Sequence, residues 1–332
     1  MALSDTMRQA LEPYFDLDFL DPLSAPRKKK DGNYYTTYIA ELQPSQTTLV
    51  PDSGSVILKE ISPAQADIYE KISSIWNPYI ETVFGVIYQN GQNLAVNEFI
   101  PKPSALTYPD FLLDKRSLSL EDYISEYGCL SEKEALIFLL QLCKGLEGLS
   151  SLSLVHGDVA PQNILLTDPT ALIPGTCQNV SGIHQKISCK LIDFDIAGKF
   201  KNQNHLVTVI AGTNPYAAPE ILDYKNPTDR IDIYSLGCVL AFMLTGKSPK
   251  QISSQELNAR CSKKVRKLIA KCTADYSRRF RNCRALRRYI MNILYVTAPP
   301  YDSLFNHIPG FRGRHPVIMA VLLVLIFLLF LT

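Results

Sequence analysis

The sequence predicts an α+β protein of two lobes, a small β-rich one followed by a larger helical one, with a transmembrane helix at the C-terminus. Three observations predict it. From Tyr34 to about Pro101, β-branched and aromatic runs alternate with turn signals, and a single helix interrupts them. After Lys102 the apolar period changes to that of amphipathic helices. Near the end, Pro316 to Leu331 is a run of sixteen uncharged, almost wholly apolar residues.

The bulk numbers bound the rest. A chain of 332 residues can hold two domains or one larger bilobal domain with extensions. At 46% hydrophobic and 20% charged it has globular composition, which excludes disorder. A net charge of +2 points to no polyanionic partner, and no nucleic acid is expected. The eight cysteines form no C-x-x-C pair and no Cys/His cluster, which excludes a zinc site or a disulfide framework and favours a reducing compartment.

Taken in order, residues 1–33 read as an extension. "MALSDTMRQALEPYFDLDFLDPL" carries acids where a signal peptide needs an apolar core, and a solvated "RKKKDG" linker follows. The strands "YYTTYIAEL", "SVILKEI", "ETVFGVIYQ" and "NLAVNEFI" come next, the last two flanking the hairpin signal Asn90-Gly91. Ser62 as N-cap and Pro63 at the first helical position open a helix between them. The lobes connect through about Asn97–Pro101. Ser131 and Glu134 form a capping box ahead of a long apolar stripe, and helices are expected at 229–245, 262–273 and 283–294.

Residues 295–315 read as a Pro/Gly-rich tether and 316–332 as a tail anchor. Sixteen helical residues span about 24 Å at ~1.5 Å each, short of a hydrocarbon core of roughly 30 Å, a gap closed either by local thinning of the bilayer or by a terminus that sits slightly below the interface. Arg312 and Arg314 place the preceding flank in the cytoplasm, so a single-pass protein with its soluble domain cytoplasmic is expected. From Arg260 to Arg288 there are twelve Lys/Arg against one acid, Asp275. Those charges are either the solvated faces of two helices or a surface attracted to anionic lipid.

Phosphoryl transfer from ATP needs a Lys on the phosphates, carboxylate and amide oxygens on magnesium, and an Asp aimed at the attacking hydroxyl. The chain offers Lys59 at the end of a strand, Asp158 and Asn163 in one loop, and Asp193 after another strand. In this order the sequence resembles a eukaryotic-type protein kinase of bacterial-like form, over about 34–294. "VILKE" resembles the strand with the ATP-anchoring Lys, here Lys59. "HGDVAPQN" resembles the catalytic loop, which implies Asp158 as base and Asn163 as metal ligand. "IDFD" resembles Asp-Phe-Gly, which implies Asp193 as metal ligand. "GTNPYAAPE" resembles the end of the activation segment in its serine/threonine form, with Thr213 bonding Asp158. "DIYSLG" implies that Asp232 braces the loop, and "DYSRR" that Arg279 pairs with Glu220. The resemblance further implies ATP and Mg2+ as cofactors, protein substrates, Asn97 as gatekeeper, main-chain adenine contacts at Glu98 and Ile100, and Glu70 as the helix partner of Lys59. Glu70 is the only Glu of its helix, although the usual spacing falls on Ile68.

Four departures bear on activity. "AELQPSQTTLVPDSG" has no G-x-G to bring backbone N–H groups onto phosphates. Gly157 stands where an Arg normally precedes the catalytic Asp. Ala160 removes a cation near the γ-phosphate, and Gln162 does not replace it. Asp195 replaces the Gly of Asp-Phe-Gly. These leave three alternatives to an active protein kinase: a pseudokinase scaffold, a small-molecule phosphotransferase of the aminoglycoside or choline type, and a membrane adaptor.

Overall fold

The computed structural model describes residues 55–106 apart from Asn90, then 117–168, 187–198, 214–222 and 228–295, together with 7, 9, 11–22, 27–28, 34–35 and 37–42. The expected anchor at 316–332, the tether beyond Tyr295 and the glycine-poor stretch 43–54 lie outside the described residues. Among the described residues no helix is long and apolar enough to cross a membrane.

The first lobe is built on strands β1 (Phe15–Pro22), β4 (Thr37–Leu42), β5 (Ser55–Ile61), β6 (Val83–Gln89) and β7 (Gln92–Glu98), in the order β1-β4-β5-β7-β6, every pair antiparallel. Two short strands, β2 (Arg27–Lys28) and β3 (Tyr34–Tyr35), pair separately. Strand β1, from the stretch read as an N-terminal extension, adds to this sheet, with Phe15 paired to Leu42. Side chains alternate across a strand, so Val56 and Leu58 of β5 present an apolar face opposite to Lys59. Met7, Leu11 and Phe15 cover that face together with Tyr38, Ala40 and Leu94, all of them buried.

Helix α1 (Pro63–Ser73) lies between β5 and β6. Ser62 accepts from the Gln65 N–H and the Gln65 side chain accepts from the Ser62 N–H, so two of the helix's orphan donors are satisfied reciprocally. Gln65, Ile68, Tyr69 and Ile72 form the buried stripe, at the i, i+3, i+4, i+7 spacing of one helix face.

The second lobe runs β8 (Leu118–Ser119), α2 (Leu120–Tyr127), α3 (Glu132–Ser151), β9 (Ile164–Thr167), β10 (Ser188–Leu191), α4 (Asp229–Thr245), α5 (Ser254–Arg260), α6 (Lys263–Cys272) and α7 (Cys283–Tyr295). Helix α4 is buried on nearly every side, and α3 and α6 pack against it. Its apolar residues therefore make the centre of the lobe, and Asp232 is carried into that interior on its first turn. Two backbone bonds of 2.9 Å, Leu191 N–H to Tyr79 O and Glu81 N–H to Leu191 O, stitch β10 to the segment entering β6. Lys190 on β10 adds an ion pair of 2.5 Å to Glu98 at the end of β7. The site forms where these two lobes meet.

Candidate active site

The loop between Val155 and Ile164 is held from below. Asp232 accepts the N–H of Gly157 at 2.8 Å and of His156 at 2.9 Å. Gly157 has φ +78°, a left-handed conformation that an arginine would enter only at a cost of about 1–2 kcal/mol. His156 is fully buried; its Nδ1 accepts the Asp158 N–H at 3.2 Å, which leaves the proton on Nε2 to face Ile192 O at 3.1 Å. Burial pushes its pKa down to about 4, so the ring is neutral and holds the loop.

The Asp158 carboxylate is gripped by two amides. Asn163 Nδ2 donates to one oxygen at 2.9 Å and Asn214 Nδ2 to the other at 2.5 Å. The Tyr216 N–H holds Asn214 Oδ1 at 2.8 Å, which turns the nitrogen toward Asp158. Burial raises the pKa of Asp158, and the two donors pull it back. Thr213, expected in this place, lies outside the described residues. Asp158 faces a cavity of about 460 Å³ whose other lining residues are Glu121, Gln162, Asn214, Pro215, Tyr216 and Ser248.

Lys59 reaches across from β5 to the segment after β10. Its ammonium lies 2.6 Å from Asp193 and 2.9 Å from Asp195, and it donates to the Tyr69 hydroxyl at 3.2 Å. Burial works against its charge, but the two carboxylates outweigh it and hold the pKa well above the usual lysine value. Asp193 shifts the other way, below the usual carboxylate range, because Lys59 overcomes the effect of burial. Asp193 also has φ +67°, a left-handed backbone that costs a non-glycine residue about 1–3 kcal/mol and marks functional segments.

Glu70 is not the partner of Lys59. It sits on the exposed side of α1 and accepts the Tyr88 hydroxyl at 2.7 Å. Neighbouring helix positions point about a quarter-turn apart, so Tyr69 can face Lys59 only if Glu70 does not. At the lobe junction, the Glu98 N–H is taken by Thr82 O at 2.8 Å, and Ile100 O accepts the Ser117 hydroxyl at 2.6 Å. The side chain of Glu98 pairs with Lys190. Asn97 is buried, and its Oδ1 has no hydrogen-bond partner among the described residues; the neighbouring carboxyl of Glu81, also buried, has its pKa raised to about 8 chiefly by burial.

The donor set suits a hard divalent cation. Asn163 spends its amide nitrogen on Asp158, so its side-chain oxygen is the atom it could offer a metal. The Ile192 N–H bonds Asn163 O at 2.9 Å and ties the two ligand segments together. Among the described residues no group of three or more His, Cys, Asp or Glu could hold a metal alone.

A sequence model described as the protein kinase domain matches residues 67–295. The chain belongs to the protein kinase family. The match begins after Lys59, within α1. Among curated relatives, the chain is 32% identical over 187 residues to the serine/threonine-protein kinase atg1 of Dictyostelium discoideum, covering 56% of this chain and 25% of that one. It is 33% identical over 137 residues to human serine/threonine-protein kinase ULK1, covering 41% and 12%. To the serine/threonine-protein kinase cds1 of Schizosaccharomyces pombe it is 33% identical over 154 residues, covering 45% and 29%. The chain thus spans less than a third of the length of each of these relatives. A crystal structure of the Rad53 kinase domain and SCD2 superposes with a TM-score of 0.52 at 18% identity, over 82% of this chain and 89% of that one. At that identity the likeness speaks for the fold. The family's fold accounts for the two lobes.

Tyr69 and Asn214 were not singled out in the sequence. A signal for Asn214 existed, since it is a side-chain donor two residues before the Tyr216 N–H that orients it. The signal for Tyr69 was the buried stripe of α1.

Proposed function

We propose that the chain transfers the γ-phosphate of ATP, with magnesium, to Ser or Thr hydroxyls of protein substrates. What carries this is the Asp158 carboxylate, oriented by Asn163 and Asn214 at the wall of a cavity open to an acceptor. An acceptor hydroxyl in that cavity would lie within reach of a carboxylate that both amides hold as a hydrogen-bond acceptor. Lys59 would hold phosphate oxygens, Asn163 and Asp193 the metal, and main-chain groups of Glu98 and Ile100 the adenine edge. Magnesium, when bound, neutralises charge on the phosphates. Ala160 is fully buried and supplies no cation, so a slow enzyme is expected. The names of the curated relatives, all serine/threonine-protein kinases, and a solved neighbour in complex with AMPPNP support the same substrate class and nucleotide.

The test is transfer of labelled phosphate from magnesium ATP to generic protein substrates by wild type and Asp158→Asn. The variant should lose at least 100-fold in rate, in line with the loss of general-base catalysis. Equal rates overturn the assignment, and no nucleotide turnover by wild type favours a scaffold. Phosphate appearing on an aminoglycoside or choline, and on no protein, moves the substrate class to small molecules.

The apolar stretch 316–332 would hold this domain at the cytoplasmic membrane face. Of the basic residues of α6 and α7, Arg287 is paired with Glu147, while Lys263, Lys264, Lys267, Arg284 and Arg288 are exposed and suit anionic lipid. The full chain should stay with the membrane pellet after carbonate washing, and a chain ending at residue 315 should not; a soluble full chain removes the anchor.

A further inference from the structure

We propose that Tyr69 and Asp195 together replace the missing helix carboxylate as the positioning partner of Lys59, so that helix α1 reaches this lysine through the Asp-Phe-Asp segment. The inference rests on Lys59 being the phosphate anchor proposed above. It begins with a closed ring of three groups. Lys59 donates to the Tyr69 hydroxyl at 3.2 Å, the hydroxyl donates to Asp195 Oδ1 at 3.2 Å, and the same oxygen lies 2.9 Å from the ammonium. Burial raises the pKa of Tyr69 well above its usual value, so the phenol keeps the proton that the ring requires.

Charge explains why the ring needs Asp195. Lys59 is partly buried, its side chain 15% exposed, and a cation so far withdrawn from water needs a carboxylate to pair with. Asp193 is a metal ligand under the proposed chemistry, so its carboxylate is committed elsewhere whenever a cation binds. Helix α1 offers no acid on its buried stripe, since Gln65, Ala66, Ile68, Tyr69 and Ile72 occupy it and Glu70 points to solvent. Among the described residues Asp195 is the other carboxylate ion-paired with Lys59, and it stands where the family pattern has a glycine that could not contribute one.

The helix holds Asp195 at two points one turn apart. Gln65 Nε2 donates to the Asp195 carbonyl at 3.1 Å, and Tyr69 bonds the carboxylate. The same Gln65 side chain caps the helix through the Ser62 N–H at 2.8 Å, so the helix start and the segment are fixed by one residue. The Tyr69 ring then packs on Phe194 at 6.1 Å, edge on, and Phe194 packs on His156 at 5.6 Å, beneath Asp158. Ile68 closes the other side, where a Cβ on Gly198 would lie 3.1 Å from its Cδ1. A shift of α1 therefore pulls on Asp195 and Phe194 together with Lys59. In this chain the helix, the lysine and the metal-ligand segment move as one piece.

The test compares wild type, Asp195→Gly, Tyr69→Phe and the double variant Tyr69→Glu/Asp195→Gly, each as the full chain and each checked for an intact thermal transition. Two readouts are taken: the dissociation constant of magnesium AMPPNP, and hydrogen-exchange protection of residues 63–73 without nucleotide. Asp195→Gly should weaken AMPPNP about tenfold or more and lower protection of the helix, since it removes a charge-assisted bond. Tyr69→Phe keeps the ring on Phe194 and should show a smaller loss of both. The double variant, which moves the carboxylate onto the helix, should regain most of the affinity. Wild-type affinity and protection in Asp195→Gly overturn the inference, as does a double variant no better than Asp195→Gly alone. If wild type binds no AMPPNP, the kinase proposal fails, and the exchange measurement on the nucleotide-free protein still decides whether Asp195 holds the helix.

Discussion

Glu81 and His156 are buried close to Lys59 and Asp193, and burial drives each toward its neutral form. The consequences for stability have opposite signs. Glu81 has a folded pKa of about 8 against a usual value of 4.5, so between those values the folded protein binds more protons than the unfolded one, and stability falls as pH rises. His156 has a folded pKa of about 4 against 6.5, so its contribution is lost as pH falls through that window. Glu81→Gln keeps a hydrogen-bonding amide in place and removes only the first effect. Wild type should lose stability relative to the variant across pH 5 to 8, at up to about 1.4 kcal/mol per pH unit. His156 is common to both proteins and cancels. Urea unfolding of the pair at four pH values checks this; a difference independent of pH removes Glu81 as a buried neutral acid. At this scale the sequence is legible where a residue type carries the chemistry by itself. Lys59 and Asp193 meet although they are 134 positions apart, and both were nameable from their motifs. Glu70 failed because its choice rested on composition, one Glu in one helix, where the deciding quantity is the angle around the helix axis. Asn214 was passed over because its role arises from a contact with Asp158 across 56 positions, although the bond that orients it, from the Tyr216 N–H, lies only two residues away.

Elements were legible in proportion to the local signals that specify them. The ends of α1 and α3 are written as capping boxes at Ser62/Gln65 and Ser131/Glu134, and both boxes are formed. Helix α4 runs over Asp229–Thr245, the expected bounds, because Thr228 caps its start and Gly246, at φ +69°, ends it with a left-handed turn. Helices α2 and α5 were missed. At 8 and 7 residues they are too short for an apolar period to repeat. Helix α5 has no buried residue at all, yet its box at Ser253/Glu256 was readable and would have located it. The basic run of 260–288 shows the limit of charge counting. Arg279 is buried on Glu220 and the Ala274 carbonyl, and Arg266 bonds the Cys261 carbonyl, so part of an apparently solvated face is internal structure. Arg279 locks the 3-10 turn at Pro219–Leu222 to the helical lobe through Glu220.

At the scale of the molecule, the least legible fact is what covers the outer face of the five-stranded sheet. Met7, Leu11 and Phe15 recur every four residues, so an amphipathic segment could be read from the sequence. Its docking surface could not, because Val56, Leu58 and Leu94 come from strands that are themselves distant in sequence. The main core runs instead through α1, the inner face of the sheet and the helical lobe, and Lys59 stands on the strand between the two cores. That arrangement separates stability from chemistry. Leu11 is fully buried on the outer face, whereas Lys59 points the other way. Leu11→Ala should therefore destabilise the protein by about 2–5 kcal/mol, the range for emptying a buried leucine site. Well below the unfolding transition it should leave the affinity for magnesium AMPPNP unchanged. Urea titration of wild type and variant gives the first quantity, and calorimetric titration of the folded proteins gives the second. A stability loss below 1 kcal/mol would show that the N-terminal segment is not part of the core in solution. A loss of nucleotide affinity in the folded variant would show that the two faces of β5 are coupled, and that the segment before the sheet acts on the site through Lys59.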